Sequence, residues 1–456
     1  MVTAQAEPHV TPVVEGEPLA ARDAVDVRDS VTGDLLATVA LGGSEAVATA
    51  LAAAEAARPS VRETTVAGRA SWCERIAADV RDREAELADA LVRETGVPIT
   101  SARAEVAAAA DQFDRVGDTL RSLTGKYRTW TTPDRGGDNS LVTAAPLGVV
   151  RCRPAGRAPL ATAALQVAPA LAAGNTAVLT PPPTAAVTTS LLAETVRSTV
   201  PTGVAGFVPA ADGAGDDGQA DAVLSAGAVG VTRLEQWLGG GATTVVYPDT
   251  DLDAAAAAIT AGGPSAVGRR LVGATRVLAH ESVQAGLVER LADRVADWET
   301  GDPFGESTVV GTLPDGAAAR RVERQVDDAV AAGATVVRGG EVEGRTCQPT
   351  VLADVPRESA LRRERVPGPV VPVTPFESAG TALRLATQTG PLGLVRVFTD
   401  RHSLAMDVAD AVDAGRVQIH GSGAADTEAS DGRVGLDGDA TAAIERLTRT
   451  KRVRTR

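Results

Sequence analysis

Aromatic residues make up only 2% of the 456-residue chain, and lysine occurs only at Lys126 and Lys451. The positive charge is therefore nearly all arginine on an Ala/Val/Gly background, and any chemistry that needs a lysine has two candidates. Cysteine is as scarce: Cys73, Cys152 and Cys347 are far apart, odd in number, and form no CxxC pair. That excludes a disulfide framework and a zinc site, and points to a reducing compartment, so the expectation is a cytoplasmic protein with no metal. Residues Met1 to Pro18 lack the basic start and apolar core of a signal peptide. No apolar run reaches the roughly 18 residues of a spanning helix, because the greasiest stretch, Pro159 to Ala173, contains Gln166 and Pro169. Neither a membrane nor a nucleic acid is expected as a partner, since 45 basic against 59 acidic residues leave a net charge of −14. What is present, 44% apolar and 23% charged residues, describes a folded chain long enough for two or three domains.

Apolar spacing predicts helices over Ser44–Ala57, within Gly68–Thr95, and over Ser101–Leu123, the last ending before Gly125. Lys126 to Val142 alternates around Pro133 and Gly136-Gly137 like a hairpin. Beyond it, Val149-Val150, Pro159–Ala173 closed by Gly174-Asn175, Ala177–Leu179, Thr184–Val200 and Ala205–Val208 read as strand, helix, strand, helix, strand. Such a unit implies a parallel, doubly wound sheet with its ligand at the carboxyl ends of the strands. A second αβ cycle runs from Thr243 to His420. Ala211 to Gln219, rich in Gly and Asp, reads as a loop.

Six segments carry a resemblance, in order and over nearly the whole chain: Ala145 to Val150, Ala168 to Thr176, Asp251 to Ala255, Arg276 to Val283, Gly368-Pro369-Val370 and Ala414 to Val417. On these the sequence resembles the aldehyde dehydrogenase superfamily. The resemblance implies an α/β fold with a Rossmann-like doubly wound domain, a second α/β domain and a β oligomerisation element. The implied division is 1–125 and 144–236 for the cofactor-type domain, 126–143 for an oligomerisation hairpin, 237–424 for the catalytic-type domain and 425–456 for an oligomerisation tail. In the family the tail pairs across subunits, so a homodimer or higher oligomer is expected.

Family chemistry uses a cysteine thiolate against an aldehyde, an asparagine amide for the oxyanion, NAD(P) as hydride acceptor and a glutamate to activate water. Matched residue by residue, the nucleophile falls on Leu271, the asparagine on Arg157 and the glutamate on Trp237, with Glu235 the nearest acid. The ribose-binding lysine falls on Thr180 and its companion acid on Pro183, and the nicotinamide-ribose glutamate falls on Arg365. The pyrophosphate turn is missing between the Asp216 loop and Leu234. These departures set the expectation of a pseudoenzyme without NAD(P) or other cofactor. As such it would serve as a scaffold, a regulator or a companion subunit to an active paralogue or pathway enzyme. The alternative is a repurposed cleft of Arg157, Glu235, Trp237, Arg269, Arg270, Leu271, Arg365 and His420 that performs cofactor-free cyclisation, isomerisation or elimination. Residual NAD(P)-dependent dehydrogenase activity is a third reading.

Arg157, Arg269, Arg270 and Arg365 suggest an anion site, while pairing with Glu235 and Glu364 is the plainer account. His420 ends a strand that in the family leads towards the substrate tunnel. It is a candidate acid or base, against the commoner loop histidine. Cys152, on an apolar strand, has no base in sequence to activate it.

Overall fold

The computed structural model describes residues 9–455 apart from 22, 124–125, 130–138, 157, 212–213, 216–218, 226–241, 261–273, 365, 389–393, 415–416 and 421–439. The chain opens on five strands: β1 (His9–Val10), β2 (Val13–Val14), β3 (Glu17–Pro18), β4 (Asp23–Arg28) and β5 (Leu35–Leu41). Their shortness and mixed polarity left no period to read in the sequence. The helices α1 (Ser44–Ala56), α2 (Arg58–Glu63), α3 (Val66–Asp82), α4 (Glu84–Thr95) and α5 (Ile99–Ser122) follow. The periodic run from Gly68 to Thr95 is thus two helices meeting at Arg83. That guanidinium leaves the helix axis for Glu86, Glu194 and the Thr195 hydroxyl.

β6 (Lys126–Thr129) and β7 (Asn139–Pro146) form the antiparallel pair expected there. Then come β8 (Val149–Arg153), α6 (Pro159–Ala173), β9 (Thr176–Leu179), α7 (Ala186–Thr199), β10 (Ala205–Phe207) and β11 (Ala222–Ser225). Their sheet has the order β11-β8-β9-β10-β2-β3, parallel from β11 to β10 and antiparallel where β10 meets β2. α6 is buried at every position, which its Ala-rich sequence permits because no polar face has to meet water. It closes on Gly174 at φ +90°, with the Gly174 N–H on the Leu171 carbonyl and the Asn175 N–H on the Ala170 carbonyl, both at 3.0 Å. That pair of bonds and the left-handed glycine make a Schellman cap.

The second half begins with β12 (Ala242–Val246), α8 (Leu252–Thr260), β13 (Ala274–His280), α9 (Glu281–Ala296), α10 (Gly316–Ala331) and β14 (Thr335–Arg338). It continues through β15 (Val342–Glu343), β16 (Thr346–Cys347), β17 (Thr350–Ala353), α11 (Ala360–Arg363), β18 (Val370–Phe376), α12 (Ala379–Thr387), β19 (Leu394–Phe398), α13 (His402–Ala411) and β20 (Val417–His420). The order β14-β17-β18-β13-β12-β19-β20 is parallel except at the β14 edge. Apolar clusters around Leu291 and Leu385 include residues of its central strands and of the helices beside them.

α14 (Ala440–Arg446) leads into β21 (Thr448–Thr455), which pairs antiparallel with β7 of the same chain, Thr448 on Pro146 through Thr455 on Asn139. Within one chain the strand closes a three-stranded sheet of order β21-β7-β6. Its register with β7 satisfies the backbone groups on that side, and among the described residues β21 is an edge strand, the position from which the expected pairing across subunits would be made. The two halves are tied near residue 30: the Ser30 carbonyl accepts from the Thr312 hydroxyl at 2.9 Å, and the Ile99 N–H donates to the Pro303 carbonyl at 2.7 Å. No helix among the described residues is long and apolar enough to cross a membrane.

Candidate functional site

The carboxyl ends of the parallel strands β8 and β9 are where sheets of this kind hold ligands. Each strand leads through a short loop into a buried helix. Pro154 to Ala158 precedes α6, and Thr180 to Ala185 precedes α7 as an extended stretch and a single 3-10 turn. The two loops lie side by side: a Cβ on Gly156 would sit 2.7 Å from the Thr184 hydroxyl, which would have to turn aside to admit it. Ala158 holds φ +44° and ψ +54°, a left-handed conformation that costs an L-residue about 1–2 kcal/mol.

Both helix starts are held by buried carboxylates from the N-terminal helices. Glu94, in the last turn of α4, accepts the N–H groups of Val187 at 2.8 Å and Thr188 at 3.0 Å. Burial pushes its carboxyl up to about 7, against the pull of those backbone donors, and the neighbouring Glu105 pushes the same way. Glu105, on α5, accepts the N–H groups of Leu160 at 3.0 Å and Ala161 at 3.2 Å through one oxygen. Sequence reading missed both. The signal was a charged residue on a buried helical stripe, since Glu94 follows Leu87 and Leu91, and Glu105 lies between Ala102 and Ala109.

Thr180 and Pro183 stand in the loop as expected, but without the roles of a lysine and an acid. Thr180 is 4% exposed and its hydroxyl accepts from Arg151 Nε at 3.1 Å. Arg151 is itself buried and donates from Nη2 to the Ala214 carbonyl at 2.6 Å. Pro181, Pro182 and Pro183 lack backbone N–H groups that could face a phosphate. These residues do not fit a dinucleotide held through side chain 180, as the resemblance implies. The stretches 226–241 and 365, which the resemblance places along the cleft, lie outside the described residues.

Of the remaining candidates, Arg157, Glu235, Trp237, Arg269, Arg270, Leu271 and Arg365 also lie outside the described residues. His420 is described and buried at the end of β20, stacked on Phe398 with ring centroids 4.5 Å apart and planes 9° from parallel. Its carbonyl accepts the Thr399 N–H at 3.1 Å. His280 caps α9 through Nδ1, a structural role. The three cysteines are buried. Burial, with Asp114 and Glu74 nearby, pushes the Cys73 thiol up to about 12, and burial alone pushes Cys152 higher. Neither is a thiolate at neutral pH.

Against known proteins the sequence matches the aldehyde dehydrogenase family over residues 19–217 and 214–438, and the chain belongs to that family. It is 32% identical over 406 residues to the succinate-semialdehyde dehydrogenase of Paenarthrobacter nicotinovorans, covering 84% of this chain and 89% of that one. The NADP(+) succinate-semialdehyde dehydrogenase of Escherichia coli is 28% identical over 433 residues, covering 90% and 89%. Among solved structures, an NAD-dependent aldehyde dehydrogenase from Sinorhizobium meliloti is 27% identical with a TM-score of 0.83, covering 98% of this chain and 95% of that one. The α/β fold with a parallel Rossmann-like sheet is therefore the family's.

The same findings correct the functional expectation. A pseudoenzyme without NAD(P), whether scaffold or cofactor-free cleft, is overturned by relatives alike over nearly their whole length and named as dehydrogenases, one with NADP(+) and one as NAD-dependent. The physical reason is that the loss of a thiol at one position removes one covalent route to an acid, not aldehyde oxidation as such.

Proposed function

We propose that the chain is an NAD(P)-linked oxidoreductase of small aldehydes, of the semialdehyde class, that works without a cysteine thiolate. Its likeness to a succinate-semialdehyde dehydrogenase over 84% of its length carries this reading. Position 271 is leucine, and the three cysteines are buried. A hydrated aldehyde, R–CH(OH)2, already bears both oxygens of the acid. Losing one hydroxyl proton and one hydride turns it into R–COOH with no thiol involved. A bound nicotinamide dinucleotide supplies the hydride acceptor.

A semialdehyde carries a carboxylate at its far end, and Arg157, Arg269, Arg270 and Arg365 are the cations we assign to it, since guanidinium groups pair with carboxylates in two parallel bonds. Glu235 is the acid nearest in sequence to the family's glutamate position, and we assign it to take the hydroxyl proton. His420, stacked and buried, is a support beside Phe398 in this reading. We keep the domain division at 125, 143, 236 and 424, a homo-oligomeric assembly and a cytoplasmic, reducing location, which suits three free thiols.

The test is to incubate the purified chain with succinate semialdehyde, glutarate semialdehyde or lactaldehyde and either NAD+ or NADP+, following reduced nicotinamide and the acid formed. Turnover that Arg157→Ala weakens through KM supports the reading. No acid from any pair overturns it.

A further inference from the structure

The helix starts behind the two loops are held by two buried carboxylates. Glu94 is 4% exposed and Glu105 is 7% exposed, and each meets the unsatisfied donors of one helix start, Glu94 on α7 and Glu105 on α6. Burying a carboxyl group is costly, and each of these offsets part of that cost through the backbone N–H groups it accepts. Those N–H groups follow directly on the two loops at the strand ends. One contains the left-handed Ala158 immediately after position 157, and the other begins at Thr180. Strained backbone persists only where its surroundings over-determine it.

We propose that Glu94 and Glu105 are the positioning residues of the candidate site: by holding the two helix starts they pin the loops before them, one each, to the α4–α5 pair, so that the spacing of the two loops is set by the N-terminal helices. Only the activity arm of the test rests on the proposed function. Hydrogen exchange judges the pinning by itself.

Glu94 uses both oxygens, one for each N–H, and Glu105 accepts the Leu160 and Ala161 N–H groups through Oε1. Glutamine has one acceptor oxygen, so Glu94→Gln loses one of its two bonds. In Glu94→Gln, amides 184–188 are expected to exchange about tenfold faster, the equivalent of one lost hydrogen bond, with amides 160–162 unchanged. Glu105→Ala speeds 160–162 alone. If the chain turns over a semialdehyde, Glu94→Gln raises KM several-fold with kcat within about twofold. Unchanged exchange in both loops, exchange speeded equally in β18 and β19, or a loss in kcat at constant KM overturns the proposal. A wild-type chain without turnover sinks the proposed function and leaves the exchange result to decide the pinning.

Discussion

Asn175 and Leu447 are joined across 272 residues of chain, Nδ2 donating to the Leu447 carbonyl at 3.0 Å. The same amide group donates to the Ala170 carbonyl at 3.2 Å, and its oxygen accepts the Gly148 N–H at 2.8 Å. One buried side chain thus closes α6, seats the turn into β8 and anchors the C-terminal strand. Replacing it by alanine takes the acceptor from the Gly148 N–H, while the Ala170 and Leu447 carbonyls keep the N–H groups of Asn175 and Leu147. Asn175→Ala is expected to cost about 1–3 kcal/mol in denaturant unfolding and to lose amide protection along β21 first. Protection of β21 equal to wild type would show that pairing with β7 alone holds the strand.

Gly96 closes α4 at φ +72°, and a Cβ there would lie 2.4 Å from both the carbonyl and the hydroxyl oxygen of Thr312. The helix end and residue 312 of the second half approach backbone to backbone. Gly96→Ala is expected to destabilise by about 2 kcal/mol or more, from left-handed strain and from forcing the halves apart. A denaturant midpoint unchanged from wild type would contradict the close approach.

Much of this fold was legible from period and punctuation. Pro159–Ala173 ends where Gly174-Asn175 says it must, and the runs Ala177–Leu179 and Ala205–Val208 fall on the strands Thr176–Leu179 and Ala205–Phe207. The opening strands were not legible, because two-residue strands and an exposed six-residue edge such as Asp23–Arg28 carry no alternation that burial enforces. The site was legible in its frame only. Motif positions located the loops, but Glu94 and Glu105 act through backbone donors 93 and 55 residues away, a relation that only the folded chain brings together. The functional expectation failed for a related reason: substituted side chains were counted as lost chemistry, although one reaction can be reached by more than one set of groups.

Glu94 makes the fold sensitive to pH. Its carboxyl is raised from 4.5 to about 7, so the folded state favours the neutral form. Its contribution is complete below about 4.5, falls as pH climbs towards 7 while the unfolded chain ionises first, and is flat beyond. The stability of wild type minus that of Glu94→Gln is therefore expected to decline with rising pH through that window. Urea midpoints of both proteins across it check this, and a constant difference would contradict it.

The thiols give a simpler test of what the site does not use. With all three cysteines buried, and burial pushing Cys73 and Cys152 well up, native protein is expected to resist iodoacetamide at mildly alkaline pH. Protein unfolded in urea should take up three labels. Rapid labelling of a native thiol would place a reactive sulfur in the molecule and reopen covalent catalysis.

The most direct measurement is turnover of a semialdehyde by a variant with Cys73, Cys152 and Cys347 all replaced by alanine or serine, set beside the wild-type chain. The account predicts that both form the acid and reduced nicotinamide at rates within about threefold of each other, because no step passes through sulfur. An active wild type with a folded but inactive cysteine-free variant would contradict the thiol-free route. Two inactive proteins would contradict aldehyde oxidation by this chain altogether.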